Sequence, residues 1–260
     1  MRGKLENWMA GLPLCHPEGS MMGSFSNAES PAAHGALLLG IDTCGPSGSV
    51  ALGRMAGGKV EILGQIELEG RSYSATLVAA VAELLTRTGV RLGMLHAIVA
   101  VSGPGSFTGV RVGLSAVKGL AEAARIPVAA VSRLEVLAST AGVPSAALDA
   151  HRQEVFLRVT GPGGEARELL AGSQELAALA PVPRPVALCD EAAAALLRAA
   201  WPGEELVQVA PPTAADALVL GAARVAAGEF VDLALLDGHY LRRSDAEIFG
   251  EPTAAGPQGE

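Results

Sequence analysis

Apolar and polar positions alternate with recognisable periods from Ala36 onward. ALLLGIDT is a short apolar run ending at Asp42 and Thr43, which predicts a buried strand. CGPSG reads as a turn, SVALGRM as a second strand and VEILGQIELEG as a third. Three strands joined by short Gly-rich turns make an antiparallel meander. In SYSATLVAAVAELLTRTG the period changes. Leu77, Val81, Leu84, Leu85 and Thr88 share one helical face, and Gly89 stands where a helix ends. LHAIVAVSGPGS predicts a buried strand running into a glycine loop. Thr108 is placed to cap the helix GVRVGLSAVKGLAEAA, and VAAVS after Pro127 is another strand. The first half therefore reads β-β-β-α-β-α-β.

The second half repeats mixed elements after a break near 132–143. SRLEVLASTAG predicts a helix capped by Ser132. SAALDA, EVFLRVTG, PVALCD and ELVQVA predict strands, and GPGGEARELL a turn with an edge strand. SQELAALA, EAAAALLRAAW and TAADALVLGAARVAAG predict helices. No sequence repeat is visible, but this order suits two α/β lobes. The expected boundaries are 36–132 for the first lobe and 133–250 for the second, whose C-terminal part can return to the first. Residues 251–260 are expected to be a disordered tail. Residues 1–35 carry no sustained period. They predict a disordered extension, or an over-long start with Met21 or Met22 as the true one.

Composition narrows the function classes. The chain has 260 residues, half of them hydrophobic, which is enough for a packed core. Its net charge of −8 and its 3% aromatic content argue against gripping nucleic acid unaided. Cys15, Cys44 and Cys189 form no CxxC pair or disulfide framework, so a reducing compartment is expected. The N-terminal stretch lacks the apolar core of a signal peptide, and no run of apolar residues is long enough to predict a membrane helix. A cytoplasmic location is expected.

The segment VSGPGSFTGVRVGLSAVKGLAEA is the most distinctive. A strand ends in a loop with Gly103, Gly105 and Ser106, and Arg111 lies in the first turn of the following helix. Such a loop can cradle a phosphate against a helix N-terminus, or it can be a tight strand-to-helix turn. It lacks the GK[ST] of a P-loop, and its spacing is GxGxxxG, not GxGxxG. Asp42 at the end of the first strand can hold a metal–phosphate or act as a base, or simply open an Asx-turn. Asp149, beside His151 and Arg152, occupies a similar place in the second half. The five histidines show no i, i+4 pair, and GxSxG is absent, so no metal or nucleophile set is identified. Gly109, Gly113, Ala116 and Leu120 form one helical stripe, and Val112, Ala116, Gly119 and Ala123 an adjacent one. Small residues at this spacing admit a close helix neighbour. LVAAVA at 77–82 is apolar nearly all round, so it needs cover on both sides, from the second lobe or from a second chain.

LGIDTCGPSGSVAL, SGPGSFTGVRVGLSAVKGLA, LDAHRQEVF and GHYLRRSDAE together resemble the TsaB (YeaZ) family over about residues 36–248. The resemblance implies a two-lobed actin, Hsp70 and sugar-kinase-like α/β fold. It implies a non-catalytic partner of TsaD in a complex that TsaE joins. With an adenylate synthase, that complex installs threonylcarbamoyl on the adenosine beside the tRNA anticodon. Contact with tRNA is then only through the complex, with no membrane role. TsaD-type relatives hold a metal with a histidine pair, whereas RSYSATLVAAV here carries Tyr73 and no such pair. Many relatives carry His at the place of Tyr73, so the start of this helix departs from the family pattern.

By position, helices at 72–87 and 109–124 would form the contact with TsaD, or a homodimer when the protein is alone. Leu77, Val81, Leu84, Val112, Ala116 and Gly119 would line that contact. The alternative is an enzyme of the same superfamily, peptidase-like or nucleotide-hydrolysing, with Asp42, Gly103, Gly105, Ser106 and Arg111 around phosphate. ATP or ADP held at the partner interface without hydrolysis is a third reading.

Overall fold

Leu38, Leu39 and Ile41 are all but fully buried, as the apolar run that opens at Ala36 requires. They lie in β1 (Ala36–Asp42), which pairs antiparallel with β2 (Ser47–Ala56), and β2 pairs antiparallel with β3 (Lys59–Glu69). The computed structural model describes residues 35–69, 72–161, 163–179 and 185–242. The expectations for residues 1–34 and 251–260 lie outside the described residues. The chain continues through α1 (Tyr73–Thr88), a 3₁₀ turn at Leu92–Met94, β4 (Ala97–Val101), α2 (Phe107–Ala124) and β5 (Val128–Val131). Strands β4 and β5 add in parallel beside β1, giving the sheet order β3-β2-β1-β4-β5.

The second half repeats this plan. After α3 (Arg133–Ala141) come β6 (Ser145–Asp149), β7 (Val155–Thr160) and β8 (Ala166–Ala171). Then follow α4 (Ser173–Ala178), β9 (Val186–Leu188), α5 (Glu191–Ala200), β10 (Leu206–Gln208) and α6 (Ala214–Ala227). Read from its meander edge, the second sheet runs β8-β7-β6-β9-β10, with the same antiparallel and parallel pairings as the first. This doubled mixed α/β arrangement is the one expected of the actin, Hsp70 and sugar-kinase fold.

The helix after the fifth strand of each sheet crosses to the other sheet. α3 packs on β6, β7 and β9, and α6 lies across β1 to β5. The crossing of α6 is specified locally. Its cap Thr213 forms a capping box with Asp216, while Ser49 Oγ accepts from the Ala214 N–H at 2.8 Å. The first-sheet strand β2 thus satisfies a helix N-terminal donor that would otherwise be orphaned.

Two local expectations are adjusted. The cap of α2 is Ser106, not Thr108: the Ser106 hydroxyl accepts from the Gly109 N–H at 3.3 Å. The helix starts two residues earlier than the glycine spacing suggested, so Thr108 lies inside its first turn. Ser132 caps α3 as expected, and Gly89 closes α1 in the left-handed region at φ 68°.

Candidate functional site

The end of β1 and the glycine loop meet face to face. The Ser106 N–H donates to the Cys44 carbonyl at 2.8 Å, and Thr43 Oγ1 donates to the Gly109 carbonyl at 2.7 Å. A Cβ at Gly105 would strike the Cys44 carbonyl, and one at Gly109 would strike the Thr43 carbonyl. The loop glycines therefore admit the β1–β2 turn, a close backbone approach that only glycine allows. Asp42 lies beneath this contact, 2% exposed. Its Oδ1 accepts from the Cys44 N–H at 2.8 Å, which makes an Asx-turn. Its Oδ2 is 3.5 Å from Nε of Arg133, the first residue of α3, and Arg133 is itself 6% exposed.

Burial and charge shape the titration here. Burial works against the Arg133 charge, but the Asp42 carboxylate together with smaller contributions from Cys44, Cys189 and Tyr73 outweighs it and raises the guanidinium above its ordinary value. Burial, and then the same carboxylate, push the Cys44 thiol well up and the Tyr73 phenol to about 12. The Tyr73 hydroxyl donates to the Gly45 carbonyl at 2.9 Å, which ties α1 to the β1–β2 turn.

Of the five residues suggested around phosphate, Asp42, Gly105 and Ser106 meet at this turn. Gly103 has φ 112° and its carbonyl accepts from the Arg133 N–H at 2.6 Å. Ser106 is the helix cap. Arg111 points elsewhere: its guanidinium lies 3.8 Å over the Phe107 ring and 5.9 Å from that of Tyr240. In the second half, Asp149 repeats the Asx-turn, accepting from the His151 N–H at 2.8 Å. Among the described residues, no group of three His, Cys, Asp or Glu is gathered to hold a metal ion. Nor is any helix among them long and apolar enough to cross a membrane.

The suggested contact residues divide between two faces. Leu77, Val81 and Leu84 are 1%, 2% and 0% exposed. They belong to the core under the first sheet and are not available on the surface. Val112 and Ala116 are half-buried, and Gly119 is exposed with open space around the place of a Cβ. The outward face of α1 carries Ala75, Val78 and Ala79 instead, with Val78 60% exposed. On α2 it carries Ser115, Gly119 and Ala123, and the two helices pack against each other. Because 77–82 is apolar on all sides, the sequence pattern could not say which side the sheet would take.

A second polar centre carried no sequence signal. Glu168 on β8 accepts from Ser132 Oγ at 2.6 Å and from Arg158 Nη1 at 2.9 Å, and lies 3.0 Å from His239 Nε2. Burial raises its pKa, and the bonds from His239, Ser132 and Arg158 outweigh burial and hold it below the ordinary carboxylate value. These residues line a cleft of about 480 Å³ together with Glu135 and Arg224, which form their own ion pair at 2.6 Å.

A family model described as TsaD, tRNA N6-adenosine threonylcarbamoyltransferase, matches residues 63–177. The tRNA threonylcarbamoyladenosine biosynthesis protein TsaB of Haemophilus influenzae is 37% identical over 125 residues, covering 46% of this chain and 51% of that protein. The Escherichia coli protein of the same name is 36% identical over 125 residues, covering 46% and 52%. The chain thus spans about half the length of the curated relatives it matches. Among solved structures, an uncharacterized Pseudomonas aeruginosa protein described as similar to peptidase YEAZ is 30% identical. It superposes with a TM-score of 0.66, covering 80% of this chain and 100% of that one. YeaZ from Pseudomonas aeruginosa is 28% identical with a TM-score of 0.61, covering 79% and 100%. A solved relative matched over its whole length, together with curated relatives in two species, identifies the lineage: the chain belongs to the TsaB (YeaZ) family.

Proposed function

We propose that this protein takes part in tRNA threonylcarbamoyladenosine biosynthesis as a non-catalytic subunit that docks on a TsaD-type threonylcarbamoyltransferase. The observation that carries this reading is the outward face of α1 and α2. It carries small residues around an exposed Val78, with Glu83, Arg111 and Glu122 beside them, and among the described residues nothing outside the helix's own backbone and the adjoining residues stands within 4 Å of where a Cβ at Gly119 would be. Small side chains let a neighbouring helix backbone approach closely, and burying an exposed valine there favours association. The pairing of Asp42 supports the non-catalytic part. A strand-end carboxylate that is 2% exposed and faces a buried guanidinium is poorly placed to serve as a base or to carry a metal–phosphate. In this reading tRNA is reached only through the complex, and the same face serves a homodimer in the partner's absence.

The test is the solution mass of the purified protein, alone and mixed with its cognate TsaD, by size-exclusion chromatography with light scattering. A mixed complex is expected. Gly119→Glu is expected to abolish it without lowering the melting temperature of the isolated protein, since the added side chain meets open space and glutamate is a better helix former than glycine. An unchanged elution of both proteins on mixing would remove the docking reading. Steady ATP turnover by the isolated protein, lost in Asp42→Ala, would overturn the non-catalytic one.

A further inference from the structure

Beyond α6 the chain runs back across both sheets. The Val231 N–H donates to the Val128 carbonyl of β5 at 2.9 Å, and Leu236 is buried in the first-sheet core. The His239 N–H donates to the Ser102 carbonyl at 2.7 Å, just past β4, while its ring reaches Glu168 on β8 of the second sheet. Tyr240 then packs on Phe107 at the start of α2, with ring centroids 5.0 Å apart. Arg242 ends the run on the Glu154 carboxylate and the His151 carbonyl, beside β7. One short segment thus touches the first sheet, a first-sheet helix and the second sheet in succession.

Glu168 is where these contacts converge. Its side chain is 7% exposed, and its three donors come from three places. Arg158 belongs to its own sheet, Ser132 to the connection between the sheets, and His239 to the returning segment. A buried carboxylate with several charge-assisted donors is strong and directional, so it holds an orientation as well as a contact.

We infer that residues 229–242 form a strap that fixes the angle between the two sheets, with Glu168 as the anchor on which it latches. The Asp42–Arg133 pair is a second cross-link, at the point where the chain passes from β5 to α3. With the strap released, the sheets remain joined by the connections around 132 and 210, by the crossed helices and by the Arg224–Glu135 pair between those helices, and their relative angle loses one of its polar constraints.

The test uses the full chain, with spin labels attached through non-cysteine chemistry at Lys59 on the first sheet and at Ala199 in α5, which packs on β6 of the second sheet, both exposed. Pulsed dipolar spectroscopy on the parent is expected to give one narrow distance distribution. His239→Ala and Glu168→Gln should each broaden or shift it. Hydrogen exchange should quicken at the Val231 and His239 amides by about tenfold or more, with β1 and β4 amides unchanged. His239 is 42% exposed at its side chain, so its variant keeps the test decisive should Glu168→Gln fold poorly. A distribution unchanged in His239→Ala would overturn the strap, as would exchange that rises uniformly over the whole chain.

Discussion

The two sheets share strand order and pairing sense, yet they end in different chemistry. β1 and β6 occupy the same place in their sheets, and each ends in an aspartate whose Oδ1 accepts the N–H two residues on, both at 2.8 Å. In the first sheet that turn is roofed by α2, whose glycines let the backbones touch, and Asp42 is sealed against Arg133. In the second sheet the turn stays open. His151 pairs with Asp149 at 2.8 Å while 85% exposed, and His151, Arg152 and Gln153 all take positive φ near 60°. The two halves also differ in bulk, since β2 and β3 run for 10 and 11 residues whereas their counterparts β7 and β8 have 6 each. A repeated topology thus needs only a repeated order of periods. What the strand end can do depends on the helix laid over it.

This contrast can be broken most forcefully at Arg133. Arg133→Met leaves Asp42 buried without its counter-ion and should destabilise by about 3–5 kcal/mol in urea unfolding, whereas His151→Ala at the open turn should cost under about 1 kcal/mol. Equal effects would show that burial does not separate the two turns. Gly109→Val comes next. Its side chain would meet the Thr43 carbonyl, and a loss of about 2–3 kcal/mol is expected by thermal denaturation.

Acid titration sharpens the comparison from the second sheet. The Glu168 pKa is lowered on folding, so its contribution to stability is complete above the unfolded carboxylate pKa of about 4.3 and is lost as pH falls through the folded value. Unfolding midpoints of parent and Glu168→Gln should therefore differ at neutral pH and converge in acid. A gap that persists at low pH would assign the effect to packing rather than to charge. The smallest effect is expected at Gln153, where φ is 62°. Glycine relieves the left-handed strain there and should stabilise by about 0.5 kcal/mol, read as a small rise in melting temperature.

Much of the fold was legible from periodicity. The meander, the two first-sheet helices and the strands between them were predicted where they lie, because alternation and the 3.6-residue period are local. The glycine loop was legible as a loop. That its glycines face the Thr43 and Cys44 carbonyls was not, since the partner lies some sixty residues earlier. The apolar run at 77–82 hid its own orientation. Leu77 and Val81 went to the sheet and Val78 to the surface, and no polar residue in that stretch marked the difference. Glu168, Arg158 and His239 carried no motif, for they come from separate parts of the chain and acquire meaning only as neighbours.

Local patterning determined which segments are strands and which are helices, where glycine interrupts them and which strings mark the family, because each of these depends on residues within a few positions of one another. Tertiary structure alone decided that Asp42 is neutralised by Arg133, that the last helix crosses to the first sheet and that the returning segment meets Glu168. Those outcomes depend on distance in space and on burial. Burial strengthens the attraction between an ordinary arginine and carboxylate, and it exists only once both sheets have packed.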